Sequence, residues 1–285
     1  MLACERHGSG EPLVLVHGVT HRRQVWYPVL DQLTQHYEVI LVDLPGHGQS
    51  DPFVLDGLPA KDALRRDFEK FLTEQGLHRP HVAGNSLGGL VALHAGSNGH
   101  ARSVTCLSPA GFWRDEDEFA YTRRFFQSLL QITERLGDRT EDVVVRFAPV
   151  RMAVFGFLTA RPSRVPIDHV RGDVRGFLKA RPALRTLLDA AEPFTDPIPL
   201  DVPVTIAWAG RDLVLPVSQA RTAKERLPYA EHIVLRGVGH VPMFDNPDLI
   251  AKIIKRGATP SATIAPIQSA RAIPRQRRAA RVATA

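Results

Sequence analysis

The nine residues 81–89, which read HVAGNSLGG, decide how this chain is expected to fold. Three residues with strand character lead into a serine, Ser86, with a glycine two positions before it and another two positions after it. Small residues there let a strand and the following helix approach closely, while the serine stands out from the turn with strained dihedrals. The helical segment from Leu87 to Ala95 aims its first amides and the positive end of its dipole at the same point. The pattern therefore predicts a strand, a sharp turn carrying a nucleophile, and a buried helix.

The order of elements around this turn predicts an α/β fold. Short apolar runs that end at glycine or proline are typical of strands buried on both faces of a sheet. Apolar residues spaced three and four apart mark the helices between them. The predicted strands are 13–16, 37–42, 81–83, 103–107, 204–209 and 232–235, and the predicted helices are 25–33, 62–75, 87–95, 217–227 and 247–254. Strands that alternate with helices indicate a mostly parallel, twisted central sheet flanked by helices.

The segment 112–196 interrupts this alternation. It contains no convincing strand and several helical stretches, and its basic and acidic residues nearly balance. We interpret it as a helical insertion between two strands of a core that is formed by residues 1–111 and 197–256. The last segment, 257–285, is rich in Ala, Arg and Pro without apolar periodicity, and we expect it to be a disordered basic tail.

Composition excludes several classes of protein. The 285 residues are 44% hydrophobic and 23% charged, which is close to a globular average and unlike a fibrous or fully disordered chain. No apolar run reaches the roughly 18 residues that a membrane-spanning helix needs, and the first ten residues lack the apolar stretch of a signal peptide. Two cysteines, Cys4 and Cys106, do not make a disulfide framework. We therefore expect a cytoplasmic protein.

The net charge of +6 at neutral pH comes mainly from the tail. Residues 257–285 contain five arginines and no acidic residue, so residues 1–256 alone carry a net charge of +1. A nearly neutral folded part gives no reason to expect binding to nucleic acid. We expect a small-molecule substrate as the partner, and the sequence leaves the oligomeric state open.

Two later strand ends carry the groups that a serine nucleophile needs. A serine hydroxyl is weakly nucleophilic unless a base accepts its proton and an acid orients that base. Asp212 follows the predicted strand 204–209 within the sequence GRD, and His240 follows the strand 232–235 within GVGH. The candidate catalytic residues therefore occur in the chain order Ser86, Asp212, His240.

This order of motifs resembles that of the alpha/beta hydrolase superfamily. Five motifs carry the resemblance: HG at 17–18, DLPGHGQS at 43–50, GNSLGG at 84–89, GRD at 210–212 and GHVP at 239–242. The resemblance covers residues 2–256 and implies a mostly parallel sheet of eight strands, with a helical cap inserted after the sixth strand. The segment 112–196 lies at that insertion point. The short stretch before residue 13 leads us to expect that one edge strand of the usual sheet is absent.

The resemblance also implies a role for each matching residue. Ser86 would be the nucleophile, His240 the general base, and Asp212 the acid that orients His240. The backbone amides of Val19 and Leu87 would form the oxyanion hole. Apolar residues at the start of the insertion and just after His240 are the candidates for the substrate pocket: Phe112, Trp113, Val241 and Met243.

These roles predict hydrolysis of a carboxylic ester, thioester or lactone through an acyl-enzyme, with no metal and no organic cofactor. A serine at the turn, rather than an aspartate, argues against haloalkane dehalogenases and epoxide hydrolases, which form alkyl-enzyme esters. The near-neutral charge and the aromatic residues of the insertion favour a largely apolar substrate of small to medium size. Two alternatives stay open: a hydrolase that cleaves a carbon–carbon bond with the same residues, and a binding protein without catalytic activity on the same fold.

Overall fold

The computed structural model describes residues 1–259. The strands are β1 Cys4–His7, β2 Glu11–Val16, β3 Tyr37–Val42, β4 His81–Asn85, β5 Ser103–Leu107, β6 Val204–Ala209 and β7 Glu231–Leu235. The helices are α1 Tyr27–Leu33, α2 Ala60–Glu74, α3 Leu87–Ser97, α4 Glu116–Leu136, α5 Arg139–Arg146, α6 Ala148–Leu158, α7 Ile167–Asp189, α8 Gln219–Arg226 and α9 Pro247–Ala258. Two short 3-10 helices span Arg23–Trp26 and Pro162–Arg164. Helix α9 extends into the first residues of the predicted tail, and the rest of that tail, 260–285, lies outside the described residues.

The strands form one sheet in the order β1-β3-β2-β4-β5-β6-β7. Strand β1 runs antiparallel to β3, with Cys4 opposite Val42, and every other neighbouring pair is parallel. The predicted mostly parallel sheet flanked by helices is therefore confirmed. The described sheet has seven strands where the resemblance implies eight. Strand β1 was not predicted, because its sequence CERH contains no apolar run. It lies at the edge of the sheet and pairs with a neighbour on one side only.

Helices cover both faces of the sheet. Val104 and Thr105 are neighbours on β5 and therefore point to opposite faces. Gly96 of α3 lies against the Val104 side chain, whereas Gly257 of α9 lies against that of Thr105. Helix α3, with α2 packed on it, thus covers one face, and α9, with α1 packed on it, covers the other. Strands β4, β5 and β6 are buried throughout between these layers.

The helices α4 to α7, which we call the cap, lie between β5 and β6. Because the described sheet has seven strands, the cap follows the fifth strand rather than the sixth. The first cap helix, α4, is capped at its N-terminus by Asp115, whose side chain accepts a hydrogen bond from the Glu118 amide. Its C-terminal cap is Gly137, whose φ of +52° suits glycine. Five buried apolar residues of the inserted segment form a small core of their own: Val144, Phe155, Val165, Val170 and Val174.

Candidate active site

Ser86 lies at a sharp turn between β4 and α3. Its backbone has φ +56° and ψ −119°, a conformation that costs a non-glycine residue of order 1–3 kcal/mol and that lifts the side chain out of the turn. The flanking glycines make the turn possible. A Cβ on Gly84 would lie 2.1 Å from the Gly88 carbonyl oxygen, and a Cβ on Gly88 would lie 2.1 Å from the Val16 carbonyl oxygen. Glycine at positions 84 and 88 is therefore a steric requirement of the packing between β2, β4 and α3.

His240 and Asp212 form a buried hydrogen-bonded pair. His240 Nδ1 lies 2.8 Å from Asp212 Oδ2, and neither side chain is accessible to bulk solvent. The other carboxylate oxygen, Oδ1, accepts hydrogen bonds from the amides of Val214 at 2.9 Å and Leu215 at 2.7 Å. These bonds fix the carboxylate as an acceptor toward Nδ1, so that the proton of a neutral imidazole stays on Nδ1 and Nε2 is left as a base.

Asn85 joins this pair to the serine turn. Its side-chain amide donates to the carbonyl oxygens of Leu107 and of His240, each at 2.9 Å. The residue next to Ser86 in the sequence thus holds the backbone of the candidate base. No sequence signal points to this role of Asn85, because it occupies a variable position of the G-x-S-x-G pattern.

Ser86 lines a cavity of about 140 Å³, which we call the serine cavity. Val19 and Leu87, whose amides are predicted to form the oxyanion hole, line the same cavity. Leu87 is the first residue of α3, so its amide has no acceptor within the helix. Trp113 also lines the serine cavity and stacks on Phe119 with ring centroids 4.4 Å apart. Trp113 and Ser86 therefore line the same cavity, and a contact of Trp113 with substrate stays a prediction.

The other three predicted pocket residues need correction. Phe112 is fully buried in the core, where its ring contacts Phe194 and Trp208 at centroid distances of 6.0 and 6.3 Å. Val241 and Met243 are also buried, and none of the three lines any of the cavities described within residues 1–259. Hydrophobicity alone does not distinguish a residue of the core from a residue of a pocket.

The loop after β2, which carries Val19, is held by buried polar contacts. His17 Nε2 accepts a hydrogen bond from the Leu44 amide at 3.0 Å, and Nδ1 donates to the Gly18 carbonyl at 2.8 Å. Burial lowers the pKa of His17 to about 3, so the imidazole is neutral and can accept at Nε2. The Arg23 guanidinium and amide both bind the buried Asp43 carboxylate, the amide at 2.7 Å. Buried hydrogen bonds of His17 and Asp43 therefore hold the loop that carries Val19.

Asp245 ties the cap to the loop of His240. Its Oδ2 accepts hydrogen bonds from the amides of Gly239 at 2.8 Å and Ala160 at 2.9 Å, and its Oδ1 accepts from the amide of Arg161 at 2.7 Å. A Cβ on Gly239 would lie 2.8 Å from the Ala160 amide nitrogen, so the two backbones touch. Asp245 cannot be predicted from the sequence, where it is an isolated acidic residue in the segment VPMFDNP.

Metal ligation has no support from side-chain positions. Across the described range 1–259, no group of three or more His, Cys, Asp or Glu side chains could hold a metal ion. Separately, no helix within this range has the length and apolar character that crossing a membrane requires.

Known proteins resemble this chain along most of its length. The model of the alpha/beta hydrolase family matches residues 13–253. The pimeloyl-[acyl-carrier protein] methyl ester esterase of Aeromonas hydrophila is 27% identical over 269 residues, which cover 89% of this chain and 98% of the relative. Epoxide hydrolase EphH of Mycobacterium tuberculosis is 32% identical over 195 residues, which cover 65% of this chain and 89% of the relative.

A solved structure shares the fold. The esterase EaEST from Exiguobacterium antarcticum superposes with a TM-score of 0.72 at 19% identity, and the match covers 89% of this chain and 94% of that one. Identity at this level shows the fold alone. Because the family model spans most of the chain and the relatives are esterases and other hydrolases, the chain belongs to the alpha/beta hydrolase family and is a hydrolase.

Proposed function

We propose that the protein is a serine hydrolase that cleaves a carboxylic ester, thioester or lactone of a small to medium, largely apolar substrate through an acyl-enzyme. One observation carries the proposal: the Asp212–His240 hydrogen bond of 2.8 Å is joined through Asn85 to a serine that stands in a strained turn and lines an apolar cavity. A nucleophile, a base and an orienting acid are the groups that acyl transfer needs.

The reaction runs in two halves. In the first half, His240 Nε2 accepts the hydroxyl proton as Ser86 Oγ attacks the substrate carbonyl carbon. The amides of Val19 and Leu87 donate hydrogen bonds to the oxyanion of the tetrahedral intermediate. The intermediate collapses when His240 returns the proton to the leaving alcohol or thiol. In the second half, His240 takes a proton from water, which attacks the acyl carbon, and Ser86 leaves with the proton as the free acid forms.

The Asp212 carboxylate stabilises the imidazolium that forms in each half. The hydrogen bonds from Val214 and Leu215 hold this carboxylate in place beside His240 Nδ1. His240 therefore changes its protonation state without turning its ring. Preorganisation of this kind lowers the barrier because no group has to reorient in the transition state.

The choice between an ester and an epoxide as substrate rests on what Ser86 can form. A serine oxygen that opened an epoxide would leave an ether bond between enzyme and substrate, and water activated by a histidine does not hydrolyse an ether. An ester or thioester leaves an acyl-serine, which the same water does hydrolyse. The likeness to the methyl ester esterase of Aeromonas hydrophila supports this choice over the likeness to EphH.

The serine cavity favours an apolar substrate. Most of its lining residues are apolar, and many of these come from the loop after β2 and from helices α2, α3, α4 and α7. Lys61 and Glu192, two charged residues at the cavity, form an ion pair of 2.7 Å with one another. Because their charges are satisfied mutually, they give a charged substrate little advantage.

Covalent labelling tests the proposal. A fluorophosphonate probe is expected to label the wild-type protein at Ser86, and Ser86→Ala is expected to abolish both labelling and hydrolysis of p-nitrophenyl butyrate. Ser97→Ala is the matched control, because Ser97 lies at the far end of the same helix and its hydroxyl contacts only the Pro197 carbonyl among the described residues. A folded wild-type protein that takes no label would refute the proposal.

A substrate with a cleavable carbon–carbon bond distinguishes ester hydrolysis from carbon–carbon bond hydrolysis. The wild-type protein should hydrolyse p-nitrophenyl butyrate with a higher kcat/KM than a 2-hydroxy-6-oxo-dienoate. The reverse order would replace ester hydrolysis by carbon–carbon bond hydrolysis with the same three residues.

A further inference from the structure

The cap encloses a second cavity, which we call the cap cavity. It has a volume of about 590 Å³, within the range of small-molecule sites, and helices α4 to α7 form most of its wall. Apolar side chains dominate the wall, among them Phe125, Leu129, Val154 and Phe177. One end is polar and consists of Thr20, His21 and Asp173.

Arg124 and Ser128, which also line the wall, are exposed to solvent. Three hydroxyl groups in the wall have hydrogen-bond partners within the protein. The Tyr121 hydroxyl donates to the Leu213 carbonyl at 2.7 Å. The hydroxyls of Thr133 and Thr140 donate to backbone carbonyls of Leu130 and Gly137 at 3.0 and 2.8 Å. These groups therefore have no unmet need for a ligand.

Asp173 differs from them. The residue is only 4% exposed and lines the cavity, yet neither carboxylate oxygen has a hydrogen-bond partner among the described residues. The nearest basic atoms are His169 Nε2 at 3.1 Å, His21 Nε2 at 3.6 Å and Arg22 Nε at 3.6 Å, and none of them reaches hydrogen-bond geometry. A buried carboxylate without a donor is unfavourable, so this position calls for a group that donates a hydrogen bond.

Two glycines of helix α7 leave room for the Arg22 side chain beside Asp173. The Arg22 side chain crosses α7 over Gly172 and Gly176, and a Cβ on Gly172 would lie 1.8 Å from Arg22 Nη2. Glycine lowers helix stability relative to alanine by about 1 kcal/mol, so two glycines in the middle of a helix are a feature with a structural cause. Because Arg22 already balances the carboxylate charge, a neutral donor fits this end better than a second cation does.

The cap cavity lies next to the reacting groups. Val19 lines the serine cavity, and the next two residues, Thr20 and His21, line the cap cavity. On α4, Phe126 lines the first cavity and Phe125 the second. The two cavities therefore share the loop of residues 19–21 and helix α4 as walls. A substrate that reaches from Ser86 into the cap has to pass this loop.

We infer that the cap cavity binds an apolar part of the substrate that carries a hydroxyl group, and that Asp173 accepts the hydrogen bond of this hydroxyl. The inference rests on the proposed function for the reaction at Ser86, and it adds the substrate class: esters or lactones of hydroxylated, medium-sized apolar acids. A carboxylate accepts and cannot donate, so an ether or a carbonyl at the same place is not a substitute.

A pair of isomeric ligands tests the inference without any reaction. Hexan-1-ol and 1-methoxypentane have the same atoms, but only the alcohol donates a hydrogen bond. Dissociation constants are measured by calorimetry on the Ser86→Ala protein. The alcohol is expected to bind about tenfold more tightly than the ether, and Asp173→Leu in the same background is expected to abolish this preference.

Two tryptophan variants on α6 show which cavity the ligands occupy. Ala153 lines the cap cavity, whereas Met152, its neighbour on the same exposed helix, does not. Ala153→Trp should weaken binding of both ligands at least tenfold, and Met152→Trp should leave it unchanged. Equal affinities of alcohol and ether in the parent protein, or binding that Ala153→Trp does not affect, would overturn the inference. Fluorophosphonate labelling of Ser86 reports on the proposed function independently of these measurements.

Discussion

The two glycines beneath Arg22 allow a prediction with an internal control. Each of the changes Gly172→Ala and Gly176→Ala replaces a glycine in the interior of α7 by the best helix former, which alone stabilises a helix by about 0.8–1.0 kcal/mol. At residue 176 the new methyl group would meet Arg22 carbon atoms at 3.7–4.0 Å, which is ordinary contact. At residue 172 it would lie 1.8 Å from Arg22 Nη2 and 2.4 Å from Cζ, so the guanidinium has to move away.

Displacement of Arg22 takes the guanidinium away from Asp173, whose other basic neighbours are the imidazoles of His169 and His21. Removal of one partner from a buried ion pair costs about 3–5 kcal/mol. The lower end applies here, because the Arg22 side chain is 23% exposed and the pair is separated by 3.6 Å. After the gain in helix propensity, Gly172→Ala should destabilise the protein by about 2 kcal/mol, while Gly176→Ala should stabilise it by up to about 1 kcal/mol.

Thermal unfolding followed by circular dichroism measures the difference. At about 2–4 °C per kcal/mol for a protein of this size, the two variants should melt roughly 6–12 °C apart, with Gly176→Ala above the wild type and Gly172→Ala below it. Equal shifts of the two melting temperatures would refute the assignment of these glycines to the passage of Arg22.

Four further predictions concern the chemistry and its supports. Asp212→Asn should lower kcat for p-nitrophenyl butyrate by about 10³–10⁴-fold, because it favours the wrong tautomer of His240; an unchanged kcat would remove Asp212 from the mechanism. Asp245→Asn should destabilise the protein by roughly 2–4 kcal/mol in urea unfolding, since an amide nitrogen faces backbone donors that it cannot satisfy, and a stability equal to that of the wild type would contradict this role. Burial lowers the pKa of His21 to about 4, so its neutral form stabilises the fold above pH 6.5 and this contribution is lost as pH falls toward 4; at pH 5 about 2 kcal/mol should be missing, and His21→Gln should lose less stability between pH 7 and pH 5 than the wild type does. Along p-nitrophenyl acetate, butyrate and hexanoate, kcat/KM should rise by up to about fourfold per methylene before it levels off, whereas a steady fall from acetate would argue against an apolar site.

The sequence was sufficient wherever local patterns determine structure. Strands β2 to β7 follow apolar runs, and the turn at Ser86 follows from glycines that no other residue could replace there. Asp212 and His240 were identifiable because each stands directly after a strand, and the structure places them 2.8 Å apart. Such features depend on a few neighbouring residues.

The rest depends on contacts between distant residues. The role of Asp245 comes from amides 84 and 85 residues away in the chain. Asp173 is notable only because its neighbours in space fail to reach it, and no sequence pattern expresses that. Phe112 and Trp113 are adjacent aromatic residues, yet one fills the core and the other lines the serine cavity. Which of two neighbours faces a cavity is decided by how the cap packs on the sheet.

The cap is bonded to the loops of both the candidate acid and the candidate base. The Thr122 hydroxyl donates to the Val214 carbonyl at 3.0 Å in the loop that follows Asp212, and Asp245 joins Ala160 to the residue before His240. A cap from another family member could not be transplanted onto this sheet by exchanging the inserted helices alone. After such an exchange, the Asp245 carboxylate would lack the amides of Ala160 and Arg161 as hydrogen-bond donors. The loop that carries His240 would then lose one of its supports. The cap and the loops of Asp212 and His240 therefore depend on one another. A change of cap that is meant to alter the substrate also requires new contacts to these two loops.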